Sequence, residues 1–286
     1  MNPEISIVNS VRAQLGEGPF WYDGALYWVD ILEKKIYRHF LQGDRVEEMQ
    51  LDYYVSAIAP RKKGGFILAM KNGFSFLSGF NGTVTGIIDP EADKPRNRFN
   101  DGKCDHAGRF WAGTMALDAS PGQGTLYMLD TSCQIHKKYS PVTISNGICW
   151  SLDNKQMYYI DTPTQQILVF DFDLLNGEIR NSKALVTIDK DGGSPDGMTI
   201  DANGCLWIAL WGGGAVICYD PKSNKFLYKI DLPVSQVSSC AFGGENLDEL
   251  YITTAKADLL KKEQLAGALF KIKTGIQGLP TSSFNG

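Results

Sequence analysis

Four polar residues recur at the same position of a repeated sequence unit, and their side chains are suited to binding a metal ion. They are Glu17 in GEGPFW, Asn100 in RFNDGK, Asn146 in ISNGICW and Asp196 in SPDGMTID. Each offers a side-chain oxygen, and hard divalent cations such as Ca²⁺, Mg²⁺ and Mn²⁺ prefer oxygen ligands. Since equivalent positions of a repeat fold can surround one centre, we predict that these residues converge on a divalent-cation site.

A simpler interpretation of three of these positions is a tight turn. Asn or Asp followed by Gly is typical of turns, and the chain has Asn100-Asp101-Gly102, Asn146-Gly147 and Asp196-Gly197. The GEGPFW motif does not fit, because Glu is not a favoured turn residue, although it occupies the same position of the unit. We therefore favour a metal site when the four positions are considered together.

The repeated unit has the length and layout of a propeller blade. The units begin at residues 17, 56, 100, 146, 196 and 239, which gives a period of about 45 residues. In each unit two short strands joined by a hairpin are followed by a third strand, such as KIYRHF or AVICYD. Six such units predict an all-β fold, a six-bladed β-propeller with a central channel. A two-sheet sandwich would not explain six recurrences, and a parallel α/β fold would need helices between strands.

The residues that begin the units should surround one mouth of the channel, because the innermost strand of each blade lines it. Ser56 and Ser239 begin the two remaining units and are expected to complete the circle. The segment EISIVNSV, residues 4–11, precedes the first unit and is predicted to be a strand that closes the ring by pairing into the last blade. A short helix is expected at ADLLKKEQL, residues 257–265, as an insertion in the last unit.

Composition argues against several other classes of protein. The chain has 286 residues, 43% hydrophobic and 21% charged, and we predict one domain spanning residues 1–286. Its net charge of −4, with Lys and Arg scattered, argues against binding of nucleic acid or an anionic membrane. Neither a secretory signal nor a membrane-spanning apolar stretch is visible, so we expect a cytoplasmic protein that is a monomer or weak dimer.

The six cysteines and three histidines are not expected to take part in the chemistry. The cysteines form no CxxC pair and lie mostly in apolar segments, so six reduced and mostly buried thiols are predicted. His39, His106 and His136 are out of phase with the repeat, and each is expected to be a surface or turn residue rather than a ligand. The EF-hand-like stretch from Asp201 to Gly204 lacks the closing Glu and is interpreted as a hairpin turn.

The chain resembles the family of senescence marker protein (regucalcin), gluconolactonase and luciferin-regenerating enzyme, from about residue 17 to residue 275. The motifs that carry the resemblance are GEGPFW, RFNDGKCDHAGRFWAGTM, ISNGICWS, YYID, SPDGMTID and AFGG. The resemblance implies a six-bladed β-propeller with one divalent cation in its channel, held by Glu17, Asn146 and Asp196. That cation is expected to be Ca²⁺, Zn²⁺, Mn²⁺, Mg²⁺ or Fe²⁺.

The resemblance also implies a substrate side of the site. Arg98 and Asn100 match the family's RxND motif, whose Arg and Asn contact substrate. Asp118, in GTMALD, matches an acidic residue that contacts sugar hydroxyls in some members, although some relatives carry Glu there. The ALWGGG segment, residues 209–214, is more similar to the bacterial sugar-lactonase members than to the animal ones.

Together these features predict a gluconolactonase-like enzyme, a metal-dependent carboxylic ester hydrolase. Its substrate would be a sugar lactone, such as gluconolactone or a pentonolactone, opened to the aldonic acid. The cation would act as a Lewis acid, Asp196 as general base, and Arg98, Asn100 and Asp118 would hold substrate hydroxyls. The alternatives are a calcium-binding regulatory protein of the regucalcin type, a hydrolase of another lactone, ester or phosphotriester, and a propeller scaffold for protein partners.

Overall fold

Six four-stranded antiparallel sheets make up nearly all of the regular structure in the computed structural model, which describes residues 4–257, 259 and 262–286. Within each sheet, strands that follow one another in the chain pair with one another, as expected for hairpins joined by short turns. The described part of the chain also contains two 3₁₀ turns, Thr162–Thr164 and Lys190–Gly192. The predicted six-bladed β-propeller is confirmed.

The first three blades are consecutive along the chain. Blade 1 contains β2 (Gly16–Tyr22), β3 (Ala25–Asp30), β4 (Lys35–Phe40) and β5 (Arg45–Gln50). Blade 2 contains β6 (Val55–Pro60), β7 (Phe66–Met70), β8 (Gly73–Leu77) and β9 (Val84–Ile88). Blade 3 contains β10 (Asn97–Cys104), β11 (Phe110–Ala116), β12 (Gly124–Leu129) and β13 (Ile135–Val142).

The last three blades include the one that closes the ring. Blade 4 contains β14 (Ser145–Trp150), β15 (Gln156–Asp161), β16 (Gln166–Asp173) and β17 (Glu178–Thr187). Blade 5 contains β18 (Ser194–Ile200), β19 (Leu206–Trp211), β20 (Ala215–Asp220) and β21 (Lys225–Asp231). Blade 6 contains β22 (Val237–Gly243), β23 (Glu249–Thr254), β24 (Phe270–Lys273) and β1 (Ile5–Ile7).

The N-terminal strand closes the ring, as predicted. It pairs antiparallel with the last strand of the chain, with Ile5 opposite Ile272 and Ile7 opposite Phe270. Blade 6 therefore contains strands from both ends of the chain. The first strand of blade 1, β2, is the next strand after β1 in the sequence. A helix was predicted over residues 257–265. Positions 258, 260 and 261 lie outside the described residues, and the described residues of this segment are turn or irregular rather than helical, so the prediction was wrong for them.

The hydrophobic core is divided among the interfaces between neighbouring blades. One cluster joins each pair of adjacent blades around the ring, from Phe20 and Leu68 between blades 1 and 2 to Trp28 and Tyr251 between blades 6 and 1. The inner strands are largely buried, whereas outer strands such as β21 are mostly exposed. Burial between the blades fixes their order around the channel, and this positions residues from distant parts of the chain.

The residues after β24 form a strap, defined here as residues 276–286, which crosses the end of the channel where the inner strands finish. Its backbone meets blade 5 at Ala202, blade 6 at Leu247, blade 2 at Pro60 and blade 3 at Gly108, through hydrogen bonds of 2.8 to 2.9 Å. Thr281 Oγ1 also donates to a backbone carbonyl of blade 1 at 2.8 Å. The strap therefore covers the far end of the channel and leaves the opposite mouth as the face that carries the repeat residues.

The cysteines and histidines follow the predictions with one exception. The structure contains six free cysteines, and Cys133 alone is only partly buried. His106 and His136 are exposed, as expected. The prediction for His39 was wrong, because this residue is 1% exposed within β4, where its ring nitrogens face Asn9 and Asp44 at 3.4 and 2.9 Å. The N-terminal segment and the following turn supply polar partners, and this allows an imidazole to be buried.

Candidate metal centre

The four repeat residues lie at the starts of inner strands and are buried at one mouth of the channel. Their exposed fractions are 5% for Glu17, 8% for Asn100, 3% for Asn146 and 5% for Asp196. Ser56, at the equivalent position of blade 2, is 1% exposed. In blade 6 the prediction of Ser239 was one residue out, because the bulge that holds Ser56 in blade 2 holds Ser238 in blade 6. Ser238 is 0% exposed, and its hydroxyl donates to the Gly16 carbonyl just as that of Ser56 donates to the Phe99 carbonyl. Polar side chains are buried in this way only where they have partners or a ligand, so the arrangement is typical of a functional site.

A β-bulge lies at this position in every inner strand. The register with the second strand shifts just after Glu17, Asn146 and Pro195, and equivalent shifts occur in the other three blades. A bulge adds one residue to a strand and redirects the neighbouring side chains, and bulges are frequent beside active sites. The six bulges explain how a side chain at the start of each inner strand can face the channel.

The glycines after the ring residues serve close packing between inner strands and do not form turns. A Cβ on Gly147 would lie 2.7 Å from Met198 Cβ, and one on Gly197 would lie 2.1 Å from Ser239 Oγ. Both glycines lie inside strands β14 and β18. The turn interpretation of the Asn-Gly and Asp-Gly pairs is therefore wrong, and the physical need for glycine is the close approach of the next blade.

Three buried carboxylates share this end of the channel: Glu17, Asp101 and Asp196. Burial is the main cause that raises the pKa of Glu17 to about 8, and the charge of Asp101 adds to it. Burial, followed by the charges of Glu17 and Asp101, raises the pKa of Asp196 well above its usual range, and burial also raises that of Asp101. Within the described residues, none of the three forms an ion pair with Lys, Arg or His. The site is therefore short of positive charge.

Asp101 was not recognised as a site residue from the sequence. In a regular strand it would point away from its neighbour Asn100, but the bulge between Phe99 and Gly102 breaks this alternation. Asp101 is 7% exposed, and its Oδ1 accepts a hydrogen bond from the Gly102 amide at 2.7 Å. A buried acid next to a ring position was the available signal, and the turn interpretation of Asn-Asp-Gly concealed it.

Arg98 supplies a buried positive charge beside the carboxylates. It is 8% exposed, and burial lowers the pKa of its guanidinium to about 10, against the raising effect of the Glu17 charge. Its Nη1 donates to the Phe99 carbonyl at 2.8 Å and to Asn100 Oδ1 at 2.6 Å. Two of the three residues predicted to contact substrate, Arg98 and Asn100, are thus joined directly.

Hydrogen bonds continue from the substrate side to the predicted ligand Asn146. Asn100 Nδ2 donates to Asn146 Oδ1 at 3.0 Å and to the Ser145 carbonyl at 2.8 Å. Asn146 Nδ2 in turn donates to Thr162 Oγ1 at 2.7 Å, and that hydroxyl donates to the Pro195 carbonyl at 2.8 Å. The structure therefore links Asn100, Asn146 and the strand that carries Asp196. Thr162 was missed in the sequence because it lies after a strand and outside the repeat motif.

The residues present fit a divalent cation. Glu17, Asn146 and Asp196 each offer oxygen as the side-chain atom that can bind a metal, which suits a hard cation. The buried carboxylates lack ion-pair partners within the described part of the chain, and their pKa values are raised, so a dication would supply the missing charge. These three residues are the ones that would hold it, and the cation would keep the carboxylates ionised at neutral pH.

Asp118 lies apart from this cluster. It occupies the exposed loop after β11, where its Oδ2 pairs with Arg96 Nη2 at 2.7 Å and its Oδ1 accepts from Ser120. No hydrogen bond or ion pair joins it to Arg98 or Asn100 within the described residues. The Ser120 contacts and the charge of Arg96 hold the pKa of Asp118 below its usual range. Its role as a substrate contact stays a prediction.

A second cluster of side chains that could bind a metal, formed by Asp201, Cys205 and Cys218, is structural. The Asp201 carboxylate accepts hydrogen bonds from the amides of Asn203 and Cys205 and from the Trp207 indole, at 2.8 to 3.0 Å. Blade 3 repeats the arrangement around Asp105, whose carboxylate binds two amides, Arg109 and the Trp111 indole. Since these oxygens already have donors, the cluster is a hairpin turn, as predicted for residues 201–204.

Below the ring, the channel contains a cavity of about 110 Å³ that ends at the strap. It is lined by Asp101, Lys103 and three cysteine side chains, those of Cys104, Cys149 and Cys240. Lys103 crosses the channel, and its Nζ donates to the Met198 carbonyl at 2.7 Å. Burial raises the pKa of each of the three thiols, so they are protonated and unreactive at neutral pH.

Comparisons with known proteins show which sequences and structures this chain resembles. A sequence model of the SMP-30/Gluconolactonase/LRE-like region matches residues 15–256. Regucalcin from Oryctolagus cuniculus is 39% identical over 295 aligned positions, covering 99% of this chain and 99% of the relative. The solved structure of a luciferin-regenerating enzyme is 32% identical, with a TM-score of 0.94 and 99% of both chains covered. A regucalcin from Agrobacterium tumefaciens, described as a calcium-binding protein, is 26% identical, with a TM-score of 0.92 and coverage of 97% and 96%.

No helix long and apolar enough to cross a membrane is found in the described part of the chain.

Proposed function

Because the chain belongs to the SMP-30/gluconolactonase/LRE-like family, we propose that it is a metal-dependent lactonase. Its substrate is a sugar lactone, such as gluconolactone or a pentonolactone, and its product is the aldonic acid. The observation that carries the proposal is the direct hydrogen bond between Asn100, on the substrate side, and Asn146, on the cation side. The groups proposed to bind sugar hydroxyls therefore adjoin the residues proposed to hold a divalent cation.

Each residue of the ring has a role in the proposed reaction. Glu17, Asn146 and Asp196 hold the cation, and Arg98 and Asn100 orient the lactone through its hydroxyl groups. When bound, the divalent cation supplies Lewis-acid stabilisation of the charge that develops on the lactone carbonyl oxygen. We infer the binding of Ca²⁺, Zn²⁺, Mn²⁺, Mg²⁺ or Fe²⁺, because the oxygen ligands alone do not select among them.

Asp196 is the proposed general base. It takes a proton from water while the water oxygen bonds to the lactone carbonyl carbon. The ring C–O bond then breaks, and the proton passes to the released oxygen, which leaves a hydroxyl and a carboxylic acid. With the cation bound, the carboxylate of Asp196 would be ionised at neutral pH and therefore able to accept that proton.

Asp118 completes the proposed substrate side from the edge of the mouth. Its pair with Arg96 is exposed, with 76% and 46% of the two side chains accessible. Exposed ion pairs contribute little to stability, so this pair is easily exchanged for contacts with a sugar hydroxyl. We also propose, as expected from the sequence, that the protein is a single domain, is cytoplasmic and is a monomer or weak dimer.

The first test is the Asp196→Ala variant. We expect it to lose lactone hydrolysis by roughly 10²- to 10⁴-fold, because it removes the general base and one cation ligand. A panel of sugar lactones is assayed by the acid released, after chelation and with each divalent cation added back. Asp153→Ala, at an exposed carboxylate in a turn of blade 4, is the control and should keep full activity. Full activity of Asp196→Ala would contradict the mechanism.

A calcium-binding regulatory role is the second candidate, favoured by the description of the Agrobacterium tumefaciens relative as a calcium-binding protein. Calorimetry separates the two functions. A regulatory protein should bind Ca²⁺ tightly and reject Mg²⁺, and it should hydrolyse no lactone of the panel. An enzyme should bind several divalent cations with moderate affinity and turn over lactones with more than one of them.

A further inference from the structure

Asn146 can serve a cation only if the oxygen of its carboxamide faces the site. The oxygen and the NH₂ group of a carboxamide have nearly the same shape, so the side chain could be turned either way. Only the oxygen can bind a cation. A second group must therefore fix the orientation, and the hydrogen bonds around Asn146 identify it.

The hydrogen bonds form a relay, defined here as Arg98, Asn100, Asn146, Thr162 and the Pro195 carbonyl, and all donors point in one direction. Arg98 Nη1 donates to Asn100 Oδ1, Asn100 Nδ2 to Asn146 Oδ1, Asn146 Nδ2 to Thr162 Oγ1, and Thr162 Oγ1 to the carbonyl. A guanidinium can only donate, and a backbone carbonyl can only accept. With both ends fixed, every group between them has a single allowed orientation.

We propose that Thr162 is a positioning residue for the cation site, because its hydroxyl holds the NH₂ group of Asn146 and leaves Asn146 Oδ1 as the atom offered to the cation. This inference rests on the proposed metal centre and assigns a further residue to it. The position needs a hydroxyl that accepts one hydrogen bond and donates another, which Thr and Ser provide. Asn146 Oδ1 retains a second lone pair beside its bond from Asn100.

The backbone around Thr162 supports this role. Thr162 begins the 3₁₀ turn after β15, and its amide donates to the Ile144 carbonyl at 3.1 Å. Its side chain is half-buried, and a β-branched residue has few χ1 rotamers. The hydroxyl is thus held between blade 4, which carries Asn146, and blade 5, which carries Asp196.

The relay also joins the substrate side to the cation side. Arg98 and Asn100 determine the direction of the same hydrogen bonds that orient Asn146. Loss of the Thr162 hydroxyl removes one of the two anchors of the Asn146 carboxamide and leaves only the bond from Asn100. The NH₂ group then turns toward the cation more readily. The expected result is weaker cation binding in a protein whose blades are intact.

The test compares Thr162→Val, which is nearly isosteric and lacks the hydroxyl, with Thr162→Ser, which keeps it. Binding of Ca²⁺ and Mn²⁺ is measured by calorimetry after chelation, and thermal unfolding is measured without metal. Thr162→Val should weaken cation affinity by about 10- to 100-fold, the usual effect of losing a partner of a ligand side chain. Thr162→Ser should bind cations with an affinity within about threefold of that of the natural chain. Without metal, both variants should have melting temperatures close to that of the natural chain.

Thr164→Val is the matched control. Thr164 lies in the same turn, but its hydroxyl donates to the Asp161 carbonyl and has no bond to Asn146. This variant should bind cations like the natural chain. Equal affinity in Thr162→Val and the natural chain overturns the inference, and so does an equal loss in Thr162→Ser, because a retained hydroxyl would then have no effect.

Cation affinity distinguishes this inference from the proposed function. In one outcome the natural chain binds cations, Thr162→Val weakens that binding, and no lactone is hydrolysed. The positioning role then stands and the lactonase proposal fails. If lactones are hydrolysed and Thr162→Val binds cations normally, the lactonase stands and the positioning role fails. Absence of cation binding by the natural chain would overturn both.

Discussion

The residues at the channel mouth divide into two chemical groups that depend on each other. Glu17 and Asp196 are buried carboxylates with raised pKa values and no ion-pair partner in the described part of the chain. Asn100 and Asn146 are joined to each other by a hydrogen bond. The two carboxylates create a need for positive charge. The two asparagines connect the proposed cation ligand Asn146 to Arg98. Burial therefore leaves negative charge that a bound cation would neutralise.

The raised carboxylate pKa values predict how stability varies with pH. Folding raises the pKa of Glu17 from 4.5 to about 8, so the folded protein holds a proton that the unfolded chain has released between these values. This contribution to stability is present below the lower value and is lost as pH rises through the higher one. Asp196 and Asp101 shift in the same direction.

We therefore expect the metal-free protein to melt at a lower temperature at about pH 8 than at about pH 5. In the proposed site a divalent cation would bind the ionised carboxylates, so it should raise the melting temperature more at the higher pH. Thermal unfolding with chelator and with added Ca²⁺, across this range, is the measurement. Glu17→Gln should show a smaller pH slope without metal. A metal-free melting temperature that rises with pH would contradict the assignment.

At the scale of elements, the bulges in the inner strands make the site possible. All six bulges interrupt the pairing of the inner strand with the second strand near the mouth. At Gly147 and Gly197 the inner strand of the next blade also approaches closely. A regular strand would send successive side chains to opposite faces. The bulges therefore explain why the sequence motifs at the mouth combine a polar residue with a glycine.

Gly197→Ala is predicted to damage both stability and the site. Its Cβ would meet Ser239 Oγ at 2.1 Å and Ser239 Cβ at 2.5 Å, so β18 and β22 must move apart. Such overpacking should lower the free energy of unfolding, measured in urea, by about 1–3 kcal/mol. It should also displace Asp196 and so weaken cation binding. Gly86→Ala, in outer strand β9 with nothing within 4 Å of the added methyl, should leave both unchanged. Unchanged stability in Gly197→Ala would contradict this prediction, because β18 and β22 would then accommodate the added methyl group without cost.

At the scale of the molecule, the two ends of the chain close different parts of the ring. Strand β1 completes blade 6 beside β24, and closure of the ring brings blades 6 and 1 into contact. The strap closes the far end of the channel by bonding to successive blades. Substrate is thus expected to reach the ring residues from the opposite mouth, where Arg98 and Asn100 lie.

Phe284 is predicted to anchor the strap. It is 0% exposed and packs in the cluster between blades 2 and 3, with its ring centroid 6.1 Å from that of Phe76. Phe284→Ala should cost about 3–5 kcal/mol in urea unfolding. A loosened strap should also open the cavity, so Cys104, Cys149 and Cys240 should react faster with a thiol reagent under native conditions.

The matched control for this prediction is Leu175→Ala. Leu175 is 87% exposed in a turn, and its removal should change stability by no more than about 0.5 kcal/mol. It should also leave thiol reactivity as it is in the natural chain. If Phe284→Ala keeps full stability and slow thiol reaction, the strap is held mainly by its backbone bonds.

The sequence by itself determined the repeat, the number of blades, the closing strand and the ring positions Glu17, Asn100, Asn146 and Asp196. These depend on local signals, since hairpin turns and strand patterns repeat within each unit of about 45 residues. The tertiary structure decided the inward position of Asp101, the burial of His39, the strap and the link through Thr162. Each depends on contacts between segments that packing brings together, such as Asn100 with Asn146 across two blades. No local pattern encodes which bulged side chain meets which neighbour, because the packing of adjacent blades determines it.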